Sequence, residues 1–167
     1  MELLKLATEW AKAEVFSTRY FIIFGILFLM ASIGFWQLGK TDLAKAYIIP
    51  TLVAGLLLLT IGLGLFYTNK SRIIQFEKAF NTDAPAFYQS EIERSESTLK
   101  EYAVVFKVIP ILIIAAALLI LFINTPNWRA ISITTIAMLI VILLIDGTAH
   151  ARIEAYHNEL KLVEMKN

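Results

Sequence analysis

Apolar positions in this chain come in four long runs, residues 20–38, 46–68, 103–123 and 128–149, with the charged positions gathered around and between them. A hydrocarbon core about 30 Å thick takes roughly 20 helical residues, so each run is predicted to be a transmembrane helix. The first run follows an arm that carries Glu2, Lys5, Glu9, Lys12 and Glu14. That arm is too long and too acidic for the leader of a signal peptide and is expected to remain in the mature protein. Only Gly39 to Lys45 joins the first two runs, and Asn124 to Asn127, with Pro126 suited to a tight turn, joins the last two. The pattern therefore predicts two antiparallel hairpins.

The polar flanks also carry helical periodicity. Leu3, Leu6, Trp10, Ala13 and Ser17 form one stripe, and Phe66, Asn69, Ile73, Phe76 and Phe80 form a second. Tyr88, Ile92, Ser95, Leu99, Tyr102, Phe106 and Ile109 make a third, and Ala149, Ile153, Tyr156, Leu160 and Val163 a fourth. Their spacing is close to the 3.5-residue period of packed helices. Helices are thus predicted over 2–18, 69–80, 86–102 and 150–165, continuous with the spans and packed as a cytoplasmic four-helix bundle. Asn81, Asp83 and Pro85 supply the turn between the second and third rods. An alternative for Met1 to Thr18 is an amphipathic helix lying on the membrane surface, with Trp10 and Phe16 opposite Lys5 and Lys12.

The expected fold is an all-α integral membrane protein, a single four-span helical domain. Halves 1–83 and 84–167 share one plan, and an offset of 80 residues places Ser17-Thr18 over Ser97-Thr98 and Arg72-Ile73 over Arg152-Ile153. Those few matches give a weak tandem repeat, a plan common in transporters.

Composition agrees with the pattern: 58% of residues are hydrophobic and the mean hydropathy is +0.69, far above soluble domains. Charge sets the orientation. The arm, the central segment and the tail hold twelve Lys and Arg residues, whereas the short connections hold three, Lys40, Lys45 and Arg129. The positive-inside rule then puts both termini in the cytoplasm, with Trp36 and Trp128 at the outer interface, and a bacterial inner membrane is the expected location. A net charge of +1 gives no concentrated basic face for nucleic acid. The absence of cysteine removes disulfides, thiolate metal sites and thiol nucleophiles.

Two polar constellations merit a chemical reading. Lys107 and Asp146 fall at similar depth near the inner ends of spans three and four, so they could form an intramembrane ion pair or a proton relay. Against that stands a snorkelling lysine and an interfacial aspartate. Asp146, His150, Glu154 and His157 follow at spacings of four, four and three, on one helix face, and residue types of this kind can share a divalent metal. Glu93, Glu96 and Glu101 could supply a second helix, but the single Glu154-x-x-His157 falls short of the two such motifs of a di-iron bundle. A solvated polar face is the ordinary reading of such a stripe. No haem is expected, because His150 and His157 share a helix and cannot reach opposite faces of one porphyrin. There is no nucleophile elbow and no phosphate-cradling glycine loop.

Small residues recur where helices could approach closely: Gly25 and Ser32, Gly55 and Gly62, Thr51 and Gly55. The sequence carries three functional expectations. One is a non-enzymatic multi-pass protein that assembles with itself, conducting ions between protomers, or joins a larger membrane complex. Another is a small transporter or metal-linked enzyme using the Asp146 to His157 face. The third is an immunity or inhibitor protein that binds a toxin or partner. The expected partners are the lipid bilayer and either a second copy or another membrane protein.

Overall fold

In a computed structural model of the chain, described here for residues 2–164, 95% of the protein is helical. The helices are α1 (Glu2–Leu38), α2 (Asp42–Ala46), α3 (Ile48–Thr82), α4 (Ala84–Phe122) and α5 (Pro126–Glu164). Met1 and the last residue of the helix expected over 150–165 lie outside the described residues. The four long helices are each apolar and long enough to cross a membrane, and the described part of each flanking segment continues its span as one unbroken rod.

Local chemistry sets the boundaries. Asp83 lies between α3 and α4 in extended conformation, and its carboxylate accepts from the Ala86 N–H at 3.0 Å. Pro85 follows in the first turn, where a missing N–H costs nothing. Pro126 starts α5 in the same way. The connection between α1 and α3 differs from the expected loop, because residues 42–46 form a short helix capped by the Thr41 hydroxyl. Pro50 explains why α2 and α3 do not fuse: without an N–H it cannot bond the Ala46 carbonyl, and the helix breaks at Tyr47. Pro110 stands inside α4.

α1 packs along α3 and α4 along α5, so the two expected hairpins are present, and α5 also reaches α1 and α3. The two ends of the bundle are held in different ways. In the charged half, all four long helices contribute to one core: Leu3, Ala7, Trp10 and Ala11 from α1, Phe76 from α3, Phe87 from α4, and Ile153, Tyr156 and Leu160 from α5. The surface-lying alternative for Met1 to Thr18 is therefore not adopted, because residues 2–18 bury their apolar stripe in this core instead of presenting it to a bilayer.

In the apolar half the shared core is small, Phe21, Leu58, Val141 and Ile145, and large side chains such as Met30, Leu121 and Phe122 are exposed. Attraction there comes from close backbone approach. A Cβ on Gly55 would lie 2.9 Å from the Gly25 carbonyl oxygen, and one on Gly25 would lie 3.0 Å from the Leu59 backbone nitrogen. Gly62 stands equally close to Phe21 and Ile22. The small-residue faces of α1 and α3 thus meet each other within the chain. Farther along, the Ser32 hydroxyl donates to the Ile48 carbonyl at 2.8 Å, a hydrogen bond between α1 and the first turn of α3.

This crossing yields a contrast. Gly25→Ala and Gly55→Ala should each lower stability by about 1–3 kcal/mol, because backbone atoms cannot yield as a side chain can. Gly64→Ala, with nothing within 4 Å, should be neutral or gain up to about 1 kcal/mol of helix propensity. Thermal unfolding of the three variants in one detergent measures the difference, and equal behaviour would remove the close crossing.

Candidate functional site

The polar residues of the charged half are organised around a buried carboxylate. Glu91, on the inner face of α4, is only 3% exposed. Arg94 stands one turn on and donates to it through both Nε and Nη2, and the Tyr156 hydroxyl from α5 adds a third hydrogen bond at 2.6 Å. The Arg94 guanidinium lies over the Trp10 ring of α1, 4.1 Å from its centroid, and that ring stacks on Tyr156. One ion pair is thereby enclosed by aromatic rings from two other helices, an arrangement that adds cation–π attraction to a charge-assisted hydrogen bond. Burial pushes the Tyr156 hydroxyl well above the ordinary phenol range, and the Glu91 charge adds to the shift, so it remains a donor. For Arg94, burial works against the charge, but the hydrogen bond and charge of Glu91 outweigh it and raise its pKa.

Two further polar pairs lie nearby, one between helices and one within α3. Arg152 on α5 donates to Glu14 on α1 at 2.9 Å, and Arg72 on α3 donates to the Asn69 side chain at 2.8 Å. Burial, then the neighbouring Arg94 charge, lowers the Arg72 pKa, yet an arginine stays cationic throughout the physiological range.

Between this cluster and the apolar half lies a cavity of about 350 Å³. Trp10, Glu14, Arg72 and Arg94 reach its wall from the charged side, Tyr102 and Asp146 stand across from them in sequence on α4 and α5, and Phe21, Ile61 and Leu65 belong to its apolar wall. Within the described residues, Asp146 has no hydrogen-bond or ion-pair partner, and the buried Trp10 Nε1 is also without one.

The four residues singled out on α5 go to separate places. Asp146 lines the cavity. His150 is set edge-on against Tyr102 and Phe106, with centroids 5.6 and 5.4 Å away. Glu154 is exposed. His157 is buried, with Nδ1 2.8 Å from the Ser95 hydroxyl oxygen and Nε2 3.9 Å from Glu96. Among the described residues, no three His, Asp or Glu side chains are placed to hold a metal ion. Of the carboxylates suggested from α4, Glu96 lies 3.9 Å from His157 and Glu101 shares the cavity wall with Asp146 while accepting from Ser97; Glu93 accepts from Gln89.

Lys107 and Asp146 form no ion pair among the described residues. Their depths match, but Lys107 is exposed on the same side of α4 as Val104, Val108 and Ile111, whereas Asp146 lies beside the buried Ile145 and Ala149. Rotation about the helix axis, not height along it, separates the two groups.

Glu91 and Arg94 were not singled out by sequence reasoning. The available signal was the i, i+3 pairing of opposite charges beside the Tyr88, Ile92, Ser95 and Leu99 stripe, which places Glu91 at the edge of the buried face. Compared with known proteins, the chain matches no family model, no curated protein and no solved structure. The class rests on the fold itself: an all-helical protein with four membrane-length helices whose charged ends close around a polar core.

Two measurements probe this core. Arg94→Met alone strands the Glu91 carboxylate and should cost about 3–5 kcal/mol of stability, while Glu91→Leu combined with Arg94→Met should recover much of that loss. A double-mutant cycle in thermal unfolding that finds the two changes additive would deny the pair its role.

The second is a pH dependence. Burial lowers the His157 pKa from its ordinary 6.5, the Lys161 charge lowers it further, and Glu96 acts in the opposite direction. The unfolded chain then takes up the proton before the folded one does as pH falls. His157 therefore contributes stability that is complete above its unfolded pKa and is lost as pH drops below it. His157→Gln should show a shallower loss of melting temperature between about pH 7 and 5 than the parent protein. Parallel curves would assign the acid sensitivity elsewhere.

Proposed function

We propose that this chain is a multi-pass protein of a bacterial inner membrane, with both termini cytoplasmic, that acts by helix–helix assembly rather than by catalysis, as a homo-oligomer or as a subunit of a membrane complex. The observation that carries this reading is the incomplete packing of the apolar half. In its most apolar window α4 buries only 11% of its residues, against 33% for α5. Between α3 and α5 runs a groove of about 510 Å³ lined by Ile49, Val53, Leu57, Ile131, Thr134 and Met138, among others. A groove of that size with Thr134 in its wall suits a neighbouring helix, which gains packing contacts that lipid tails supply less well.

The charged half gives complementary support. Its buried charges are engaged in holding α1, α4 and α5 together, which suits a scaffold that presents rigid rods to partners. Lysine and arginine are concentrated in the arm, the central segment and the tail, as the positive-inside rule requires for cytoplasmic segments.

Native mass spectrometry of the protein in lipid nanodiscs reads subunit number and bound partners together. A discrete homo-oligomer or a stoichiometric complex is expected. Bare monomer at every protein concentration, with no co-purifying subunit, would overturn the assembly reading.

A further inference from the structure

The cavity between the two halves is built from charges that almost cancel, and the remainder is informative. Glu14 is matched by Arg152 and Arg94 by Glu91. Arg72 is left with only the neutral Asn69 as hydrogen-bond partner, and Asp146 is left with no partner among the described residues. A further lining charge, Glu101, is exposed and accepts from Ser97, so the half-buried charges left without an ion pair are Arg72 from α3 and Asp146 from α5, which line the same space without meeting each other. Half-buried charges of this kind are costly unless something supplies the missing contacts.

We propose that this cavity binds a small zwitterion, a molecule carrying an ammonium group and an anionic group beside an apolar body. The anionic end goes to the Arg72 guanidinium, which lines the cavity 6.0 Å from the centre of the Trp10 ring. The ammonium end goes to Asp146, with the Tyr102 ring and Glu14 in the same wall. The Asp146 charge is felt at Tyr102, whose hydroxyl is raised by burial first and by Asp146 second, which keeps the phenol neutral beside a cation. Phe21, Ile61, Leu65 and Ile142 complete the wall on the apolar side and take the ligand's body. At about 350 Å³ the space is at the small end of ligand pockets, which run from about 300 to 1,000 Å³.

Two sources share this chemistry. An apolar α-amino acid carries its ammonium and carboxylate on one carbon, whereas a phosphatidylethanolamine carries an ammonium and a phosphate at the boundary between acyl chains and water. The site stands independently of assembly, since every residue in it belongs to one chain.

The test uses the full chain in nanodiscs of phosphatidylglycerol. Calorimetry with L-leucine and with L-phenylalanine tests the amino-acid source, and native mass spectrometry after adding phosphatidylethanolamine tests the lipid source. One of the two is expected to bind the parent protein. Arg72→Gln and Asp146→Asn should each weaken it at least about tenfold, as loss of one charged contact of about 1.4 kcal/mol implies. Lys107→Gln, outside the cavity, should bind as the parent does.

The melting temperature of each variant provides the folding control. Binding of neither probe class would overturn the proposal. Phosphatidylethanolamine retained no better than phosphatidylglycerol counts as no binding of the lipid, and folded Arg72→Gln and Asp146→Asn proteins that bind as the parent does would also overturn the proposal.

Discussion

Burying the Glu91 carboxylate places the strictest demand on the charged half of this bundle. An ionised carboxylate out of water costs several kcal/mol unless opposite charge and hydrogen bonds replace its hydration. Arg94 provides the charge and two N–H donors from the same helix, and Tyr156 provides a third donor from α5. Meeting that demand fixes more than one pair. Arg94 cannot turn away without exposing the face it lays on Trp10, and Tyr156 cannot shift without breaking its stack on the same ring. The rotation of α1, α4 and α5 is therefore set together, and the apolar contacts of Leu3, Ala7, Phe87 and Leu160 close around that setting.

The apolar half meets a different constraint. Its shared core is small, and the helices adhere where small residues let backbones approach. Gly25, Gly55 and Gly62 do this for α1 and α3. Because each long helix runs through both halves without interruption, the two constraints act on the same rods. The register chosen by the glycine crossing must agree with the one demanded by Trp10 and Glu91, and α1 carries both. Agreement between them makes the fold one cooperative structure instead of a membrane hairpin joined to a soluble one.

Much of this architecture is legible in the sequence, for physical reasons. The four long apolar helices are legible because each apolar run reaches the length that a bilayer crossing requires, and the flanking rods because Leu3, Trp10, Phe76, Ile153 and Leu160 repeat at a helical period. The Asp83 and Pro85 turn follows from cap chemistry that needs no tertiary information. Contacts between helices are another matter. Depth along a rod can be counted from sequence, which aligned Lys107 with Asp146, but the angle around the rod depends on which neighbour wins each face. His150 and His157 share a face in projection, yet one meets aromatic rings and the other Ser95, because packed helices present different surroundings only two turns apart. Glu91 was obscured for the same reason, as one of several glutamates on α4 with nothing local to show that it alone faces Tyr156. The short helix at Asp42–Ala46 escaped because five residues carry too little periodicity to register.

The position of the cavity follows from the meeting of the two packing modes. Glycine contacts draw α1 and α3 together at Gly25 and Gly62, while in the charged half the Arg94 guanidinium and the stacked rings of Trp10 and Tyr156 fill the space among α1, α4 and α5. Phe21 and Leu58 belong to the glycine level, Trp10 and Tyr156 to the aromatic one, and the cavity wall runs from Phe21 on one side to Trp10 on the other. Side chains such as Asn69, Arg72, Thr98 and Asp146 line the space between these levels. Polar chemistry gathers at that level because it lies between two ways of packing helices, glycine contact on one side and an aromatic-enclosed ion pair on the other.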